Sequence, residues 1–185
     1  LELTADRAGL ADGQDVLVRM GCEAGTYVRK WIHDIGLHLG CGAHMQQLIR
    51  TKAGPFRLEH AVTLQTLQDA HYYWKEEGNE IPIRTAVLPY ETGVQHLPTM
   101  WIHDNAVDSL CHGALLHVPG VAKLHNDITI GDMVAVLTLK GELVCLGMAR
   151  MASKDIVANQ RGVALKVDAV LMQPGTYPRQ QRNEK

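Results

Sequence analysis

Arg29 is the residue of this chain whose position most needs a chemical explanation. It follows the turn Gly25-Thr26-Tyr27 and falls in the first turn of a predicted helix. A helix N-terminus favours anions and penalises a cation by roughly a few tenths of a kcal/mol. Such a charge needs solvent or a partner, and Asp34 and Glu23 are near enough in sequence to supply an ion pair. His33, His38, His44 and His71 are metal ligands by type. Their spacings miss the i, i+4 pairing that puts two imidazoles on one helix face, so no metal site is expected. Cys22, Cys41, Cys111 and Cys145 contain no C-x-x-C pair. Zinc spacing is therefore missing, and free buried thiols in a reducing cytoplasm are expected.

Charge is distributed unevenly. Net charge is −2 and the pI is about 6.6, unlike the basic footprint of a nucleic-acid binder. Yet residues 145–185 carry seven basic and three acidic side chains, against four and ten in residues 61–144. Residues 1–60 carry seven of each. Arg150, Lys154, Arg161, Lys166 and Arg179 are thus candidates for phosphate contacts.

The elements that must position these groups can be read from periodicity. Residues 14–21 suit a strand, with Val16 and Val18 on one face and Leu17 on the other. Val28, Ile32, Ile35 and Leu39 recur at helical spacing and predict a helix over 26–39 with that stripe in a core. Gly36 interrupts it at roughly 1 kcal/mol against Ala, which implies close approach by another backbone. Gly40 and Gly42 end it. By pattern alone, residues 43–51 fit strand or helix.

A second helix is predicted from Thr63 to about Glu77, closed by an acidic turn, Glu76 to Glu80. Residues 81–98 carry Pro82, Pro89 and Pro98 and suit an extended, partly helical connector. Beyond Pro98 the texture changes. A short helix over Asn105–Cys111, capped by Asp104, precedes β-branched runs at Met133–Leu139, Leu143–Arg150 and Val163–Met172. Turn pairs such as Pro119-Gly120, Gly131-Asp132 and Lys140-Gly141 separate them, the spacing of a small β-barrel. The tail 179–185 is polar and expected to fray. Apolar content of 46% with a single Phe leaves aliphatic residues to fill the cores. No signal peptide is expected, and no apolar run in these 185 residues is long enough to span a bilayer. A first residue Leu1 rather than Met suggests a fragment or a processed product.

Two blocks carry a resemblance. Cys22-Glu-Ala-Gly-Thr-Tyr-Val-Arg29, Leu39-Gly-Cys-Gly-Ala-His-Met45 and Leu48-Ile-Arg-Thr-Lys-Ala-Gly-Pro-Phe56 resemble the C-terminal half of the catalytic domain in TruB/dyskerin-type RNA pseudouridine synthases. Trp101-Ile-His-Asp104, Cys111-His-Gly-Ala114, Val118-Pro-Gly-Val121, Gly131-Asp-Met-Val-Ala-Val136 and Gly175-Thr-Tyr-Pro178 resemble a PUA domain. Their succession looks archaeal and dyskerin-like. The implied fold class is α+β. The C-terminal portion of a pseudouridine synthase catalytic domain with its connector would occupy 1–98, a mostly-β PUA pseudo-barrel 99–178, and the tail 179–185. By the same resemblance, residues 43–51 are taken as strand.

The resemblance implies an isomerase that converts uridine to pseudouridine in the tRNA T-arm or in guide-directed rRNA, without cofactor or metal. It implies RNA partners, tRNA or an H/ACA guide RNA, with small accessory proteins of an H/ACA ribonucleoprotein, a cytoplasmic setting and no membrane. The target nucleotide would be flipped out of its stack. Arg29 maps to the partner of the nucleophilic aspartate. Tyr27 maps to the tyrosine before that arginine, and Leu48 to an apolar lining of the uracil pocket. Arg50 and Lys52 map to an RNA-contacting run, where this chain has Ile49-Arg50 instead of the usual Arg-Arg. Gly113 and Ala114, with Leu115 and Leu116, would let an RNA backbone come close. No Gly-x-Leu-Asp-Pro segment, the setting of the nucleophile, occurs in these 185 residues. Turnover by this chain alone is therefore not expected, and a non-catalytic RNA-binding module or split subunit is the alternative.

Overall fold

A computed structural model describes residues 2–4 and 13–178. The described residues divide into two compact units, one up to Arg50 and one from Thr51.

The first unit pairs strand β1 (Glu2–Thr4) antiparallel with β2 (Leu17–Arg19). The strand expected over 14–21 is thus shorter, because only three residues find ladder partners. Helix α1 (Val28–Leu39) follows and ends at Gly40, whose φ of 74° is a left-handed cap. Such a cap suits glycine, which has no Cβ to clash. The stripe Val28, Ile32 and Ile35 is half-buried, but Leu39 is 69% exposed. The chain folds back on the Gly36 face instead: Gly42 N–H donates to the Gly36 carbonyl at 2.9 Å. Gly36 is the one fully buried residue among those described in this unit. Residues 43–51 form no strand. Their pattern permits one, but a strand needs a ladder partner, and the described residues provide none.

In the second unit a two-stranded ribbon, β3 (Lys52–Ala53) and β4 (Phe56–Arg57), precedes α2 (Leu64–Glu77). The Thr63 hydroxyl caps α2 by accepting from Thr66 N–H at 3.0 Å. Gly78, at φ 68°, closes it. The connector is more helical than expected. Pro82 sits at the start of α3 (Ile81–Ala86), and Pro89 precedes α4 (Tyr90–Val94). Proline lacks an N–H that a first helical turn does not use, so here it starts helices and does not break them.

The rest is a six-stranded mixed sheet in the order β6-β10-β9-β8-β5-β7. Its members are β5 (Thr99–Ile102), β6 (Leu116–His117), β7 (Val121–Leu124), β8 (Met133–Thr138), β9 (Leu143–Ala149) and β10 (Val163–Val170). β5 and β8 run parallel; the other neighbours are antiparallel. Helix α5 (Asp104–Cys111) packs on it, and α6 (Ser153–Ala158) links β9 to β10. His103, not Asp104, is the N-cap of α5; Asp104 is already helical, where its charge suits the dipole. The core holds Met100, Ile102, Leu110, Val134, Val136, Val144 and Leu165, all at most 1% exposed. Tyr177 reaches the same core from the C-terminal segment. Cys111 and Cys145 are buried in it, whereas Cys22 and Cys41 are exposed and depart from the expected burial. Among the described residues no helix is long and apolar enough to cross a membrane.

Candidate functional site: an arginine groove and a basic sheet edge

Arg29 is the second residue of α1, in a first turn without an acidic side chain. Its neighbour Lys30 takes Asp34 in an i, i+4 ion pair at 2.9 Å. That leaves Arg29 exposed and without an ion-pair partner among the described residues. It lines a shallow open groove with Lys30, His33, Ala43, His44 and Met45. The Gly36 approach builds this groove, because it lays residues 42–43 along α1. Arg29 and His33 are one helical turn apart and share a face, an i, i+4 spacing in the sequence that could have marked His33 as a neighbour. Lys30 and Met45 carried no such signal. A groove with guanidinium, ammonium and two imidazoles and no carboxylate on its wall suits an anionic group.

Tyr27 is the N-cap of α1 but makes no side-chain cap bond, and it is 82% exposed. Leu48 is 57% exposed in the irregular segment after the groove. Neither side chain lines the groove. Arg50 and Lys52 are exposed. Among the described residues no group of three or more His, Cys, Asp or Glu side chains could hold a metal ion.

In the second unit several of the other predicted groups lie on or next to β6 and β10, at one end of the strand order. Gly113, at φ 79°, ends the turn after α5 and donates to the Leu110 carbonyl at 2.9 Å. Ala114 follows, exposed, and then edge strand β6. β6 pairs with β10 through His117–Val163 and Leu116–Leu165, and Val118 N–H donates to the Gly162 carbonyl at 3.1 Å. Arg161 therefore leads into the strand that carries β6. Arg150 joins the same region through its N–H to the Ala164 carbonyl at 2.8 Å. Lys154 lies on α6, between Arg150 and Arg161 in the chain, and Lys166 lies in β10. All four cations are exposed, and none forms an ion pair among the described residues. Leu115 is exposed, but Leu116 is 1% exposed and belongs to the core, so it cannot line a backbone approach. Arg179 lies outside the described residues.

The family model for the tRNA pseudouridylate synthase B C-terminal domain matches residues 29–95. The PUA domain model matches residues 98–171. The chain is 53% identical over 168 residues to the probable tRNA pseudouridine synthase B of Methanopyrus kandleri, covering 91% of this chain and 50% of that protein. The corresponding Pyrococcus furiosus protein is 51% identical over 169 residues, with 91% and 50% covered. Among solved structures, the archaeal box H/ACA sRNP Nop10–Cbf5 complex gives a TM-score of 0.82 at 49% identity, over 86% of this chain and 52% of that one. An H/ACA RNP bound to a substrate RNA containing 2'-deoxyuridine gives 0.79 at 51% identity, over 84% and 49%. The chain thus spans about half the length of the curated relatives it matches.

Proposed function

We propose, because the chain belongs to the archaeal TruB/dyskerin-type family of RNA pseudouridine synthases and carries its C-terminal region and a PUA domain, that it serves the isomerisation of uridine to pseudouridine in RNA. Residues 1–98 would complete the catalytic domain, and residues 99–178 would grip RNA. The observation that carries the catalytic part is Arg29: its guanidinium faces an open groove while Lys30 holds Asp34. It is placed to pair with a carboxylate brought by another segment, the nucleophilic aspartate of the family. Tyr27 and Leu48 are exposed and free to be covered when that uracil pocket is assembled.

The RNA-binding part rests on the β6 edge. Gly113 and Ala114 leave room for a backbone, and Arg150, Lys154, Arg161 and Lys166 supply unpaired cations for phosphates. Arg50, Lys52 and Arg179 would add contacts. The RNA is a tRNA, as the relatives' names suggest, or a guide–target pair within an H/ACA particle, as the solved assemblies suggest. Small proteins such as the Nop10 and Gar1 of those assemblies would be its partners.

One sequence fact favours a second reading. No Gly-x-Leu-Asp-Pro segment is present in the 185 residues, so this chain by itself would act as a non-catalytic RNA-binding module. The test is an assay of the purified chain on uridine-containing tRNA and on a guide–target duplex. No pseudouridine is expected until a polypeptide bearing the aspartate segment is added. Turnover by the chain alone would overturn the assignment of Arg29 as an accessory to a missing nucleophile.

A further inference from the structure

Within the second unit the short helix α4 touches both the β3–β4 ribbon and the sheet. A Cβ built on Gly93 of α4 would stand 3.8 Å from Phe56 Cζ, and one built on Gly54, in the ribbon turn, 3.7 Å from His96 Cε1. The sheet is reached by a different side of α4. Glu91, half-buried, accepts through Oε1 from Leu143 N–H at 2.8 Å. Glu91 and Gly93 are two positions apart, about 200° around a helix. Leu143 opens β9 and is 5% exposed. A bulge makes its N–H available: Val136 pairs with Cys145 and Leu137 with Leu143, so Val144 is an extra residue. The Val144 carbonyl is used too, accepting from the Leu171 and Met172 N–H groups at 3.0 Å. A buried N–H left without an acceptor is costly, so the bulge depends on the carboxylate.

The chain itself already joins α4 to β5 through residues 95–98. One attachment is a hinge; a second, at the other end of α4, fixes the orientation. Glu91 lies in the first turn of α4 and supplies that second attachment. The ribbon carries Lys52, exposed and without an ion-pair partner among the described residues. Arg161 and Lys166 stand at or next to β10, toward the β6 end of the strand order. Cations on the ribbon and cations on the sheet are therefore linked through α4 and its bond to the bulge.

We propose that Glu91 is a positioning residue for RNA: by holding α4 on the β9 bulge it keeps Lys52 at a fixed separation from Arg161 and Lys166, so that one RNA engages both surfaces. The inference rests on the RNA-binding reading above. It deepens that reading from separate cations to a two-point grip, and it names the side chain that fixes the grip.

The experiment is a double-mutant cycle on the full chain, read by fluorescence anisotropy of a labelled RNA hairpin. One arm compares Glu91→Ala with Glu91→Gln. Both remove one negative charge, but only glutamine keeps an oxygen able to accept from Leu143 N–H, so the pair isolates the bond from the charge. Amide exchange at Leu143 should speed up in Glu91→Ala and change little in Glu91→Gln. The other arm is Lys52→Glu, which removes the ribbon contact. Glu91→Ala should bind the hairpin about threefold to tenfold more weakly than Glu91→Gln, because a loosened joint lowers the effective concentration of the second contact. In the Lys52→Glu background, which has one contact left, the two Glu91 variants should bind alike. An equal gap between them in both backgrounds would make Glu91 merely structural and overturn the proposal. Equal binding in the natural background, or natural affinity in Lys52→Glu alone, would overturn it as well, and each leaves RNA binding at the β6 edge standing. If the natural chain shows no salt-dependent RNA binding at all, the RNA-binding reading falls, and this proposal with it.

Discussion

Gly36 of α1 and Ala43 touch through their backbones: a Cβ built on Gly36 would overlap the Ala43 amide nitrogen and the Gly42 carbonyl carbon. The Gly42 N–H to Gly36 carbonyl bond at 2.9 Å holds them there. Gly36→Ala should therefore destabilise the first unit, despite the better helix propensity of alanine. Propensity offers roughly 1 kcal/mol, whereas forcing atoms into a packed contact costs roughly 1–3 kcal/mol. Backbone atoms cannot rotate away as a side chain can. Gly21→Ala is the control, since nothing lies within 4 Å of its Cβ position. Amide exchange across α1 should speed up in Gly36→Ala and stay unchanged in Gly21→Ala. Equal exchange in both would mean that the contact yields easily.

Gly36 also marks how far the sequence could be read. A glycine inside a helical stripe announced a close backbone approach, and that approach is present. α2 was legible from Thr63 to Gly78 because both caps are written in residue types. The runs that became β8, β9 and β10 were legible because short apolar runs fall between turn pairs. What could not be read depends on distant partners. Residues 43–51 have a strand's pattern without a strand's neighbour. The parallel pairing of β5 with β8 joins residues 36 apart, such as Thr99 and Ala135, and leaves no local trace. Tyr177 stood out only as part of a resemblance, and Glu142 did not stand out at all, because their bond spans 35 residues.

Arg29→Ala should be nearly silent in the stability of this chain. The side chain is exposed and unpaired, and surface changes of that kind stay within about 0.5 kcal/mol. In an enzyme completed with the aspartate-bearing segment it should be severe for turnover and mild for RNA affinity. Arg29→Lys should recover little, because a point charge does not reproduce the forked geometry of a guanidinium. Thermal melts of the chain and single-turnover rates of the completed enzyme check both halves. A large melting loss with normal turnover would make Arg29 structural.

Glu142 clamps Tyr177 by accepting from its hydroxyl, and this clamp should loosen in acid. The Tyr177 hydroxyl, then the Thr138 hydroxyl, and with them the charge of Lys140 hold the Glu142 carboxyl below its ordinary range. A depressed folded value means that its stabilisation is complete above the unfolded pKa and fades as pH falls through the folded one. Near neutral pH the clamp is fully formed. Lowering pH through the carboxylate range should raise amide exchange at Gly175–Tyr177, measured against an unstructured reference peptide. In Glu142→Gln the segment should already be looser at neutral pH, and its acid dependence should shrink. An identical acid profile in that variant would show that Glu142 is not the group responsible.

The four thiols should separate into two classes. Cys22 and Cys41 are exposed; Cys111 and Cys145 are buried in the sheet core. Burial raises the Cys111 thiol, helped by the nearby charge of Asp108. Burial and the neighbouring Cys111 push Cys145 up to about 12. Only the thiolate attacks a disulfide reagent. At pH 8 an aromatic disulfide should therefore titrate two thiols promptly in the native chain and all four in denaturant. Prompt reaction of Cys145 would show that the sheet opens far more readily than its packing implies.

Reversing Lys154, Arg161 and Lys166 together to Glu should weaken RNA binding and flatten its salt dependence. Each phosphate neutralised by a cation releases condensed counterions, worth about 0.7–0.9 in the slope of log affinity against log salt. Three lost contacts would lower that slope by about 2. The side chains are exposed and unpaired among the described residues, so their reversal should leave the fold intact. Lys75→Glu, on α2, controls for net charge, although one substitution changes less charge than three. Comparison at matched total charge therefore needs Lys75→Glu, Arg84→Glu and Lys123→Glu combined. If the edge is the interface, the first triple variant loses affinity and slope while the second, equal in charge, keeps most of both. Equal losses in the two would reduce the effect to overall charge, and unchanged affinity in the first would move the RNA contact off the β6 edge.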